Sequence, residues 1–202
     1  TGVDVLIIAG PTERIPDSDR ETLHSYVDGG GKAMVLIDRV LVGQQFTAGP
    51  NRNNFSDFVE RYGVIVEDDL VFDLQSNETL PFTTQLGNVF RPYPYWMRVP
   101  VVDLKVAGNL GPVLLPWASS LGIAESEVGQ IEVVPLLETT EFAAIDFKYR
   151  DVSPNTPVFD QVTRQNLVQS LVGVAVEGRA SGNGDGAGNF RLVVVGDSDW
   201  LS

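Results

Sequence analysis

Three aspartates in this sequence stand where apolar runs stop. Asp38 closes Ala33-Met34-Val35-Leu36-Ile37, and Asp197 and Asp199 follow Leu192-Val193-Val194-Val195-Gly196. Gly10 ends a third run, Val5-Leu6-Ile7-Ile8-Ala9, while Thr139 and Thr140 come just after Leu136-Leu137. Ligands of open α/β sheets bind beyond the carboxyl ends of the strands, so Gly10, Asp38, Thr139, Thr140, Asp197 and Asp199 make a candidate binding rim. Two or three carboxylates at such a rim can hold Mg²⁺ for phosphoryl chemistry. A plainer reading uses the same atoms. Asp199 as a helix N-cap and Ser198 as a turn residue account for the Asp-Ser-Asp without any metal.

Other chemistries are poorly supplied. His24 is the one histidine, it falls inside a predicted helix, and there is no cysteine and no Gly-x-Ser-x-Gly elbow. Gly29-Gly30-Gly31 follows a helix and precedes a strand, the reverse of the order that aims a helix N-terminus at phosphate. The alternating glycines from Gly182 onward give a single Gly-Asn-Gly-Asp-Gly, one copy of a pattern that binds calcium only as a repeat, and no Gly-Lys-Ser/Thr follows. That segment reads as a flexible hairpin. Glu67-Asp68-Asp69 offers three adjacent carboxylates and reads as a solvated turn. No cofactor motif, metal centre or catalytic set emerges.

The elements that must position the rim are legible in the pattern. Val5–Ala9 is apolar at every position, the mark of a strand buried on both faces, and Gly10-Pro11 ends it. Ser18 and Glu21 fit a capping box for a helix running to Asp28, with Leu23, Tyr26 and Val27 on one face. With the run at 33–37, this is a βαβ unit. It predicts a three-layer α/β/α domain with a mostly parallel sheet.

Further along, Asn53 or Asn54 caps a short helix carrying Phe55, Phe58, Val59 and Tyr62, ended by Gly63. Strands are predicted at 64–66, 70–72, 113–116, 131–137, 171–176 and 191–195, and a last long helix over about 159–170. Residues 74–100 read as an irregular insertion rich in proline and aromatic residues. Its rings beside Arg91 and Arg98 suit either a stacking platform or a loop packed onto the domain.

The chain has 202 residues, enough for one well-cored domain. Its net charge is −13, with 27 acidic residues against 14 basic, which repels phosphate backbones and excludes nucleic acid as a partner. The first residue is Thr1, so the chain is read as a piece of a longer protein.

The ordered set of motifs resembles the auxiliary component of gliding-motility-type ABC transport systems. The resemblance rests on Asp4–Pro11, Gly29–Asp38, Tyr62-Gly63-Val64 with Asp68–Val71, and Leu114–Leu121. Pro135-Leu136-Leu137 with Thr139-Thr140 and Val194–Leu201 complete it, so it spans nearly the whole chain. It implies an extracytoplasmic, non-catalytic binding or assembly domain on a parent protein anchored in the cytoplasmic membrane. Its partners would be the membrane subunits of the transport system and a small-molecule or sugar ligand. The implied fold is similar to flavodoxin-like or class I glutamine-amidotransferase-like domains. The amidotransferase cysteine has no counterpart here, so that activity does not carry over. The alternative is a metal-assisted hydrolase or sugar-processing enzyme built on the strand-end aspartates.

Overall fold

The computed structural model describes residues 2–85, 87–102, 110–179 and 188–201. The first half runs β1 (Leu6–Ala9), α1 (Asp17–Asp28), β2 (Lys32–Leu36), β3 (Val40–Val42), β4 (Ala48–Pro50), α2 (Phe55–Glu60), β5 (Val64–Val66) and β6 (Leu70–Asp73). It continues as β7 (Asn77–Thr84), β8 (Gly87–Val99), β9 (Val113–Pro116), β10 (Leu121–Ile123), β11 (Ile131–Glu138) and β12 (Ala143–Asp146). A 3₁₀ turn at Phe159–Gln161, β13 (Leu171–Arg179), β14 (Asn189–Val195) and a second 3₁₀ turn at Asp199–Leu201 complete it.

The main sheet has the order β1-β2-β14-β13-β11. β1, β2 and β14 are parallel, and β13 and β11 run antiparallel to their neighbours. Alternation along β2 and β14 divides its faces. Ala33, Val35, Phe190, Leu192 and Val194 face α1, α2 and β5 in one cluster with Val27, Phe55, Phe58 and Tyr62. Leu36 and Val195 face the other way, onto Val71, Met97, Val99 and Leu115. Each such fully buried aliphatic or aromatic side chain contributes about 1.5–3 kcal/mol of transfer free energy.

This overturns the α/β/α expectation. Strands make up 44% of the described residues and helices 13%. Helices cover one face of the mixed sheet, and the second face is covered by β6, β8 and β9 instead. The fold is neither flavodoxin-like nor amidotransferase-like. The apolar run at 5–9 misled because β1 is an edge strand paired to β2 alone, with Val5 52% and Ile7 61% exposed.

Local expectations fared unevenly. α1 begins at Asp17 behind Pro16 with no side-chain cap, and Ser18 lies inside the helix bonded to Asp19, so the capping box does not form. Asp17 and Asp19 still sit at the positive end of its dipole. Asn54 stands at the N-cap of α2, but its amide pairs both ways with the Ile15 backbone, while Asn53 accepts from the Phe55 N–H.

The helix expected over 159–170 shrinks to Phe159–Gln161. Phe159 is drawn against Phe72 and Tyr95, and Thr163 bonds locally to Asn166, a competitor of helical hydrogen bonding. Residues 77–84 and 87–99 are regular after all, β7 and β8 paired antiparallel, with β9 on the other side of β8. Pro92 is tolerated because β8 has only β7 beside it there, and Pro94 because it falls in the bulge between the Tyr93–Glu78 and Met97–Asn77 pairs. Tyr93 and Tyr95 are fully buried, packed with Phe72, while Phe90 near the hairpin tip is 69% exposed. The Gly-Asn-Gly-Asp-Gly stretch at 182–186, in the segment read as a hairpin, lies outside the described residues. No helix among the described residues is long and apolar enough to cross a membrane.

Candidate functional site

Parallel register builds the rim. Ala9 pairs with Leu36 and Leu36 with Val195, so the residues that follow each strand emerge side by side. Asp38 and Asp197 each lie two residues past the Leu36–Val195 pair. The Ile37 N–H donates to Val195 O at 3.0 Å and the Gly10 N–H to Leu36 O at 3.1 Å, extending the ladders to the brink of the site. One carboxylate oxygen from each of Asp38, Asp197 and Asp199 lies within 4.8 Å of the others.

Gly10 forms the floor. A Cβ there would meet Ser198 Oγ at 2.7 Å and Asp38 Oδ2 at 3.6 Å, and its φ of +57° is a conformation glycine adopts without strain. Gly196 answers a tighter constraint, because a Cβ would lie 2.2 Å from Ser119 O. The Ser119 N–H donates to Gly196 O at 2.8 Å, laying the Trp117–Ser120 loop across the strand end. That loop is itself held by Asp69. Its carboxylate accepts the Ser120 N–H at 2.8 Å and the Ser120 hydroxyl at 2.6 Å, and its carbonyl accepts from Ser119 Oγ. The turn expected to be solvated at Glu67-Asp68-Asp69 is therefore buried at its last residue, Asp69, which is 1% exposed. Asn51 and Asn53 tie the Pro11 carbonyl to the same corner, Asn51 also donating to Asp38 O.

Each acid has a distinct environment. Asp38 accepts the Ser198 N–H at 2.7 Å and the Ser198 hydroxyl at 2.5 Å, yet burial still raises its carboxyl above the ordinary range. Asp197 is wholly buried, and its Oδ1 accepts the Asp199 N–H at 3.1 Å while Oδ2 has no hydrogen-bond partner among the described residues. Burial pushes its carboxyl well up; the Asp199 backbone N–H is the main opposing pull, the charges of Asp38 and Asp199 add to the rise, and the Trp200 backbone N–H opposes it least. Asp199 is partly exposed and also raised, by its own desolvation and by Asp38. Such a trio can share protons or hold a cation through hard oxygen ligands.

The rim drawn from the sequence is only partly assembled. Gly10, Asp38, Asp197 and Asp199 converge. Thr139 and Thr140 follow β11, two strands and roughly 10 Å from β14 at normal spacing. Their groups are engaged elsewhere: Thr139 Oγ1 accepts the Ser170 N–H, and Thr140 donates through N–H and hydroxyl to Asp73. Ser198 is the member the sequence reading passed over as a turn residue. Its signal was its place between two strand-end aspartates.

His24 is buried on the helix face of the sheet, its Nδ1 3.1 Å from Tyr62 Oη and its ring stacked on Phe58. Desolvation holds its pKa below the ordinary value. It serves the core there, and Ser198 pairs with a carboxylate, not with an imidazole.

A second concavity of about 490 Å³ lies in the β-rich part, walled by Phe46, Phe82, Trp96 and Trp117 with Val42 and Gly43. Phe46 and Trp117 adopt φ of +56° and +55°, unusual for large side chains.

Comparison with known proteins gives the setting. The chain is 20% identical to an uncharacterized protein of Borreliella burgdorferi over 207 residues, covering 97% of this chain and 40% of that one. Its fold matches the mmIFT52 N-terminal domain with a TM-score of 0.53 at 16% identity, over 97% of this chain and 66% of that chain. The chain therefore spans less than two thirds of either relative. A family model described as an ABC-type uncharacterized transport system matches residues 1–202, and this chain belongs to that family, as an auxiliary component of an ABC-type transport system.

Proposed function

We propose that the chain is a non-catalytic binding and assembly domain of its transport system, standing outside the cytoplasmic membrane on a membrane-anchored parent. The observation that carries this reading is the family match over the whole chain. The geometry supports it. The strand-end site pairs its serine with a carboxylate, and the histidine is committed to Tyr62 and Phe58 in the core. The aromatic-walled cavity suits the ligand, since flat apolar ring faces stack on sugars and similar small molecules. Membrane subunits of the transport system are the expected protein partners, and a gliding-motility-type system is the expected kind. The enzyme alternative, a metal-assisted hydrolase or sugar-processing domain, draws support from the convergence of Asp38 and Asp197.

Affinity purification of the tagged parent from detergent-solubilised membranes tests the assembly role, and membrane subunits of an ABC system should accompany it. This chain has no cysteine, so topology is read from one placed in it, in a parent whose remaining cysteines are replaced. A cysteine placed at exposed Gln130 should react with a membrane-impermeant maleimide in intact cells or spheroplasts. A parent that purifies alone, with Gln130→Cys labelled only after lysis, would overturn the reading.

A further inference from the structure

We propose that Asp38, Asp197 and Asp199 bind one hard divalent cation at the carboxyl ends of β2 and β14. Three features of the site carry this beyond the presence of acidic groups.

The first is the orphan oxygen. Asp197 is 0% exposed, and its Oδ2 has no donor among the described residues. A buried carboxylate with one oxygen unpartnered is only partly compensated for the desolvation of its charge, and folded proteins rarely leave such an oxygen so. A cation supplies the missing partner.

The second is geometry. Two oxygens bound to the same ion at about 2.1–2.5 Å can lie no more than roughly 4–5 Å apart, the distance between opposite positions of its shell. The three carboxylates each bring an oxygen within 4.8 Å of the others. Parallel register fixes Asp38 and Asp197, while the Asp199 N–H bond to Asp197 Oδ1 folds the third acid back toward them.

The third is charge. The charged neighbours that act on Asp197 are Asp38 and Asp199, both negative. Ser198 supplies two neutral donors, both to Asp38. Each Asp38 oxygen keeps a second lone pair for a metal.

The donor set selects the ion class. All three ligands are carboxylates, which favour Mg²⁺, Mn²⁺ or Ca²⁺ over softer metals. Partly exposed Asp199 marks the open side, where water completes the shell. The inference does not depend on the transport assignment, and it holds for a binding domain or an enzyme alike.

The experiment is titration of the chelator-treated full chain with Mn²⁺, read by electron paramagnetic resonance and calorimetry, with Mg²⁺ and Ca²⁺ as competitors. One saturable Mn²⁺ per chain is expected, displaced by at least one competitor, and Asp197→Asn should weaken it by at least ~10-fold. Asp199→Asn, at the open side, should weaken it too and serves as readout if Asp197→Asn does not fold. Absence of saturable binding at millimolar Mn²⁺ would overturn the proposal and leave shared protons to hold the trio. Binding undiminished in Asp199→Asn and in any folded Asp197→Asn would overturn it as well.

Discussion

Asp73 and Asp197 each stand at or just past the end of a strand, 1% and 0% exposed, but their surroundings differ completely. Asp73 accepts N–H groups from Gln75, Ser76 and Thr140 and the Thr140 hydroxyl, so four donors compensate one charge. Asp69 and Asp146 follow the same plan, the latter bonded to Tyr95 Oη, Lys148 N and Tyr149 N. These aspartates are loop clamps in the β-rich part of the molecule. Asp197 has the Asp199 N–H, a weaker pull from the Trp200 N–H, an orphan oxygen and two acidic neighbours. Burial alone therefore does not mark a site. The donor inventory around a buried acid separates a clamp from a candidate binding group. The two kinds are mechanically joined, since Asp69 holds the Ser119–Ser120 segment that packs on Gly196 beside Asp197.

The largest contrast should come from Asp73→Ala. It leaves three backbone donors unpaired at a buried position and should cost about 3 kcal/mol in urea unfolding. A loss below about 1 kcal/mol would erase the clamp category.

Asp197→Asn, measured in chelator, should go the other way. The amide keeps an oxygen for the Asp199 N–H, removes one of three crowded negative charges and adds a donor toward its neighbours. The melting temperature should hold or rise. A drop matching that of Asp73→Ala would show the two acids to be alike.

A smaller effect sharpens the comparison within the clamps. Burial raises the Asp69 carboxyl above its ordinary 3.8 despite its Ser120 bonds. For a raised acid, the stabilising contribution is fully present below 3.8 and lost as pH rises through the folded value. The stability of the native chain relative to Asp69→Asn should therefore fall as pH climbs from that value toward neutrality. Urea midpoints of both proteins across this range check it, and parallel curves would contradict it.

The smallest effect concerns the lone histidine. Its lowered pKa makes the neutral-form contribution complete above 6.5 and progressively lost as pH falls from there toward the folded value. His24→Gln, which retains a donor for Tyr62 Oη, should lose less stability than the native chain between pH ~7 and ~5. Equal losses would move the acid sensitivity to the carboxylates.

Of the six rim residues read from the sequence, Gly10, Asp38, Asp197 and Asp199 converge in the structure. Asp38, Asp197 and Gly10 announce themselves because an apolar run that stops at a polar or glycine residue marks a strand end. Thr139 and Thr140 match that signal equally well and are not in the cluster, since β13 separates β11 from β14. A strand-end pattern says that a residue lies at the rim of a sheet and nothing about which strand is its neighbour. The donors that decide a carboxylate's role are no easier to foresee. Thr140 reaches Asp73 across 67 positions, and Ser198 reaches Asp38 across 160.

By itself, the sequence determined the strand runs at 33–36 and 191–195, both helices near Leu23 and Phe58, the acidic charge and the poverty of catalytic groups. These follow from periodicity, composition and residue inventory, which are local or summed properties of the chain. Only the tertiary structure decided that β1 lies at an edge, that the second face of the sheet is covered by strands, and that Asp38 and Asp197 stand abreast. An apolar run reports how much surface must be buried, not what buries it. Whether β14 inserts beside β2 depends on long-range packing between segments some 160 residues apart, which no window along the sequence contains.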